Sequence, residues 1–157
     1  MSVINGDVAA RRRSAGPMPG RDHFDRAFYL LVEDAGRELD SRILLALQLL
    51  RGGAEVWIGQ QLWFARNFAA LKPGVALFKG NNMPQVANMR AARLMGHRTS
   101  SIDEEVFGLL DASGKRIHDH RASRYCDLFL AQGDVQRTFL EQDQGIQADR
   151  IKVVGNP

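Results

Sequence analysis

Apolar residues in this chain gather in short runs separated by longer amphipathic stretches. Positions 28–32 (Phe-Tyr-Leu-Leu-Val), 75–78 (Val-Ala-Leu-Phe), 127–131 (Asp-Leu-Phe-Leu-Ala) and 151–154 (Ile-Lys-Val-Val) are four or five residues long and mostly aliphatic or aromatic. That length and composition suit strands buried on both faces. Positions 55–59 and 97–102 read as two further strands, the second with a weaker apolar signal. Between the strands, 42–51, 61–71, 84–95 and 135–141 carry helical patterns; in the first only Arg42, Gln48 and Arg51 interrupt the apolar residues. Asp40 or Ser41 is placed to cap that helix, and Pro84 suits the first turn of a later one. Gly52-Gly53, Lys72-Pro73-Gly74 and Gly96 supply the stops.

Strand alternating with helix through short connections is the signature of a parallel sheet with helices on both faces. The expected fold class is therefore α/β, with a Rossmann-like parallel sheet of about six strands over residues 27–157. With 157 residues, 45% hydrophobic and 25% charged, the chain has material for one core, which excludes a disordered chain or a fibrous rod. No apolar run reaches the ~18–20 residues a membrane-spanning helix requires. The first 20 residues lack the apolar stretch of a signal peptide. The one cysteine, Cys126, fits a reducing compartment, so a cytoplasmic location is expected.

Charge changes this picture only at one end. The first 26 residues hold five arginines against three aspartates, so +2 of the chain's +3 lies there. A flexible basic tail over 1–26 is expected, able to touch anionic lipid headgroups at the inner membrane face. Zinc-finger spacing and arginines interleaved with aromatics are both missing, so nucleic acid is not an expected partner.

In a sheet of this kind ligands bind beyond the carboxyl ends of the strands. That rule selects 33–40, 59–60, 79–82, 101–105 and 132–134, and with them Gly59, Gln60 and Asn81. Arg37 and Glu38 are expected in the loop after the first strand, beside helix amides that favour an anion. There Arg37 could grip a phosphate or carboxylate, or the pair could be a helix-entry salt bridge. Asp103, Glu104 and Glu105 form the second cluster. Adjacent carboxylates raise one another's pKa, as a general acid or base requires, but an acidic helix start reads the same way. His118-Asp119-His120 lacks further ligands at metal-site spacing and reads as a loop with two exposed histidines. Trp57, Trp63, Phe64 and Phe68 read as packing residues and Cys126 as core. A Gly-x-Gly-x-x-Gly turn after the first strand and a P-loop are both absent, so no cofactor is expected.

Several of these stretches occur together in a known order. Val32-Glu33, then Arg37-Glu38-Leu39-Asp40-Ser41-Arg42-Ile43-Leu44-Leu45-Ala46, then Gly53 with Val56-Trp57-Ile58-Gly59, resembles the opening of bacterial surface carbohydrate biosynthesis proteins. These are GT-B-like glycosyltransferases related to Kdo transferases. The likeness continues through Lys72-Pro73-Gly74-Val75 and Ile102-Asp103-Glu104-Glu105 to Val153-Val154-Gly155-Asn156-Pro157. The resemblance implies the N-terminal, acceptor-side half of a two-domain enzyme of capsule or lipopolysaccharide assembly. A nucleotide-sugar donor would then be held mainly by a second domain, with a glycan or glycolipid acceptor on this one and no metal. Glu104 or Glu105, with Asp103, would act on the acceptor hydroxyl, and Arg37 and Glu38 would orient the sugar. A sugar- or nucleotide-binding module without catalysis and a nucleotide-sugar epimerase are the alternatives of the same fold.

Overall fold

The computed structural model describes residues 27–103 and 118–155. The first apolar run becomes β1 (Ala27–Val32), and the chain then enters α1 (Ala35–Arg51). Next come β2 (Glu55–Gln60), α2 (Gln61–Asn67) with a 3-10 turn over Phe68–Ala70, β3 (Gly74–Phe78), α3 (Met83–Leu94) and β4 (Arg98–Ile102). The short α4 (Ala122–Tyr125), β5 (Leu128–Ala131), α5 (Asp134–Thr138) and β6 (Ile151–Val153) follow. The strands form one six-stranded sheet, all parallel, in the order β2-β1-β3-β4-β5-β6. This is the Rossmann-like α/β architecture that the alternation predicts.

The strand order has one reversal. From β1 the chain moves outward to β2, then returns past β1 to place β3 on its other side. The connections leaving β1 and β3 therefore diverge and open a crevice at their carboxyl ends. Right-handed crossovers put α1 on one face of the sheet and the helices after β2 on the other. The larger core lies on that second face, where Tyr29 and Leu31 of β1 meet Phe64, Phe68, Val86, Met89, Phe139 and Leu140. On α1's face a smaller core joins Leu30, Leu77 and Ile102 to Ala46.

Several boundaries differ from the sequence reading, each for a local reason. Helix α1 starts two turns before the predicted residue 42, because Asp34, not Asp40 or Ser41, is its cap: extended at φ −120°, Asp34 accepts a bond from the Gly36 amide. Arg37 and Glu38 are thus helical, not loop residues. Trp57 and Trp63 are 45% and 47% exposed, so the packing role falls to Phe64 and Phe68 alone. His97 precedes β4 and ties the large core together: its Nδ1 accepts from the Gly74 amide and its Nε2 donates to the Phe68 carbonyl.

Candidate functional site

The crevice between β1 and β3 is filled by an ionic cluster. Lys79 follows β3 directly, and its Nζ stands 2.6 Å from Glu33 Oε2 and 3.3 Å from Glu38 Oε1. Glu33 follows β1 and is half exposed; Glu38 and Lys79 are buried, at 3% and 7% exposure. The second oxygen of Glu38 accepts the Glu33 amide at 2.8 Å, which locks the carboxylate against the end of β1. One turn further along α1, Arg42 is buried at 2% exposure and donates through Nε to the Leu31 carbonyl. The inner face of α1 is therefore ionic where it passes the crevice and apolar beyond it.

This arrangement does not favour an anion. Arg37 lies 3.2 Å from Asp34 and 3.7 Å from Glu38, so two carboxylates already draw on its charge. Asp34 also occupies the amides at the start of α1, the position a phosphate would take. The cations of this corner, Arg37, Lys79 and Arg42, are each already engaged by protein acceptors, so an arriving phosphate finds none uncommitted. What the cluster presents outward is the half-exposed Glu33 carboxylate, held in a fixed position by the buried Lys79 ammonium, which Glu38 anchors from behind. Such a group suits the hydroxyls of a neutral polyol.

The rest of the edge continues from β3 toward β5. Asn81 is buried at 5% exposure; its carbonyl accepts from the Asp119 amide at 2.8 Å, while its side-chain Oδ1 is buried with no hydrogen-bond partner. Asn82 beside it caps α3. Asp103, at the end of β4, puts Oδ1 4.0 Å from where a Gly80 Cβ would stand, and its carbonyl accepts from Gln132 beyond β5. Ser101 donates to the Gly80 carbonyl at 3.2 Å. Arg37, Glu38, Asn81 and Asp103 thus share one edge, linked through Lys79 and Gly80. Gly59 and Gln60 end β2 on the other side of β1. Gly59 has a packing duty, because a Cβ there would press on the Phe64 ring at 3.2 Å. Glu104 and Glu105 lie outside the described residues.

Lys79 and Glu33 were within the selected post-strand segments but carry no motif of their own. The signal was a lone lysine ending an apolar run opposite an acidic post-strand segment. Among the described residues no group of three or more potential metal ligands comes together. Burial pushes the Cys126 thiol up to about 12, which leaves it a packing group and not a nucleophile.

His118 departs from the expected exposed loop. It packs edge-on against Phe139, with ring centroids 5.5 Å apart, and its Nε2 is buried without a partner. Desolvation lowers its pKa to about 4, against the smaller opposing pull of Asp119. Unfolded, the same side chain takes up its proton near pH 6.5. Its contribution to stability is therefore complete above pH 6.5 and declines as the pH falls toward 4, by up to about 3 kcal/mol. Asp119, held below the usual carboxylate range by its bonds to Arg121, loses its own contribution only at lower pH. Urea unfolding between pH 7 and 4.5 is expected to show this slope in the parent and not in His118→Phe. Equal slopes in the two proteins would contradict the assignment.

No protein-family model matches the chain and no curated protein matches it, so the functional reading rests on the geometry of this edge and on the sequence resemblance.

Proposed function

We propose that this domain is the acceptor side of a GT-B-like glycosyltransferase of bacterial surface polysaccharide assembly, working at the cytoplasmic face of the membrane. The observation that supports it most is the Glu33–Lys79–Glu38 cluster at the strand-order reversal. It offers fixed hydrogen-bonding groups to a hydroxyl-rich glycan or glycolipid and leaves no uncommitted cation to grip the phosphates of a nucleotide sugar. That combination fits the division of labour in a two-domain transferase, in which the donor is held mostly by the other half. Arg37 then orients Glu38 rather than gripping an anion, and Asn81 contributes its buried amide. Asp103, Glu104 and Glu105 supply the base that takes the acceptor proton, and the donor belongs to the second domain.

Amide chemical-shift mapping on this chain tests the binding half of the proposal. A neutral oligosaccharide is expected to perturb Glu38, Lys79, Gly80 and Asn81, while UDP and CMP leave them unchanged. Perturbation of this edge by the nucleotides instead would overturn the acceptor assignment. The chemical half requires the domain joined to its donor partner: Glu104→Gln or Glu105→Gln is expected to lower transfer by about 10²-fold or more with acceptor binding retained. Full turnover in both variants would remove the base from this loop. Glycan binding without transfer by the joined protein would favour the non-catalytic module.

A further inference from the structure

Helix α1 is apolar on two sides. Its inner side, with Leu45, Ala46 and Leu49, covers the sheet. Its outer side carries Leu39, Ile43, Leu44, Leu47 and Leu50, between 36% and 62% exposed. A helix apolar around most of its circumference belongs inside an assembly, and clustered exposed aliphatics mark interaction surfaces. Nothing crowds this helix among the described residues, because α2, α3, α4 and α5 all pack on the opposite face of the sheet. A groove of about 370 Å³ beside Leu44, Leu45 and Gln48 leaves one flank of α1 open as well.

The order of residues along the outer side indicates what covers it. Asp40, Leu44, Leu47 and Arg51 follow one another at spacings of four, three and four, which places them on one line over three turns. The line reads acid, apolar, apolar, base. A second copy laid antiparallel across it, with the two-fold axis between Leu44 and Leu47, sets Asp40 against the partner's Arg51 and Leu44 against the partner's Leu47. Symmetry then makes each contact twice. The same axis brings like flank to like flank: Ile43 meets the partner's Leu50, and Ser41 meets the partner's Gln48. Laid parallel, the line would set acid on acid and base on base.

We propose that α1 is a self-association surface through which two copies of this chain pair antiparallel, centred on Leu44 and Leu47. Five partly exposed aliphatic side chains offer on the order of 400 Å² per copy, about half of the ~800 Å² that a standard stable interface buries per partner. The dimer is accordingly reversible, with dissociation in the micromolar range. It leaves the half-exposed Glu33 clear, because the ionic cluster lies at the carboxyl end of β1, away from the outer side of α1.

Sedimentation equilibrium of the 157-residue chain from about 1 to 300 µM tests this. The parent is expected to pass from monomer to dimer over that range. Leu47→Glu is expected to weaken the dimer at least tenfold with an unchanged far-UV circular dichroism spectrum. Asp40→Arg is expected to weaken it severalfold, and the exchange Asp40→Arg with Arg51→Asp to restore it to near the parent value. If Leu47→Glu does not fold, the charge exchange decides alone. A monomer at every concentration would overturn the proposal, and so would a dimer indifferent to Leu47→Glu. A double exchange no tighter than Asp40→Arg alone would overturn the antiparallel pairing on which it rests.

Discussion

Gly74→Ala is expected to destabilise the protein by at least about 3 kcal/mol, a large share of the ~5–15 kcal/mol that holds a typical domain folded. A Cβ on Gly74 would overlap the carbonyl oxygen of Ala27, and would stand 2.8 Å from Tyr29 Cε2 and 3.0 Å from the Ala27 carbonyl carbon. Two of these three atoms are backbone, in the strand that pairs Ala27 with Gly74. No rotamer change relieves the overlap; β1 and β3 must move apart, and the bond from the Gly74 amide to His97 moves with them. Gly80→Ala is the control, since the nearest atom to its Cβ is Asp103 Oδ1 at 4.0 Å. Urea unfolding of both variants reads the difference. A Gly74→Ala protein within 1 kcal/mol of the parent would contradict the role given to close strand approach.

The second large effect is expected at Lys79. Lys79→Met keeps most of the side-chain volume but removes the cation from a carboxylate, Glu38, that is 3% exposed. Removing one member of a buried ion pair costs about 3–5 kcal/mol when the other charge is stranded. Arg37 at 3.7 Å and the Glu33 amide still attend Glu38, so about 2–4 kcal/mol is expected here. Adding Glu38→Gln to Lys79→Met removes the stranded charge and is expected to recover most of that loss, because the amide oxygen still accepts from Glu33. The two substitutions should therefore be strongly non-additive, by about 1.5 kcal/mol or more. Additive effects in unfolding free energy would mean that the pair does not act as a unit.

The strands were legible in the sequence because burial on both faces leaves continuous apolar runs, and 75–78 needed no more than that. Strand order was not legible: pairing β3 to β1 rather than to β2 depends on contacts far apart in the chain. The first turns of α1 were missed for a related reason. Their inward residues, Glu38 and Arg42, are charged and find their partners on β1 and β3, so the helix shows no apolar period there. The tryptophans misled because an indole ring is large and apolar wherever it sits; Trp57 reaches Glu55 through its ring N–H and stays near solvent. His118 is buried by Phe139, a residue of the segment that follows α5, and no local pattern announces that meeting. The post-strand segments themselves were legible, because an all-parallel sheet sends every one of them to the same edge.

The reversal in strand order also has a consequence in time. Ala27 and Gly74 are neighbours in the sheet although 47 residues separate them, and β2 and two helical segments lie between. The unit β1-α1-β2 spans a shorter loop and can close early, whereas β3 must return past it and insert on the far side at a larger entropic cost. Glu38 belongs to the first unit and Lys79 to the second. An intermediate that has closed only the first unit therefore carries the carboxylate without its ammonium. The crevice comes into existence only when β3 pairs with β1, and ligand binding there would report that this long-range pairing has formed.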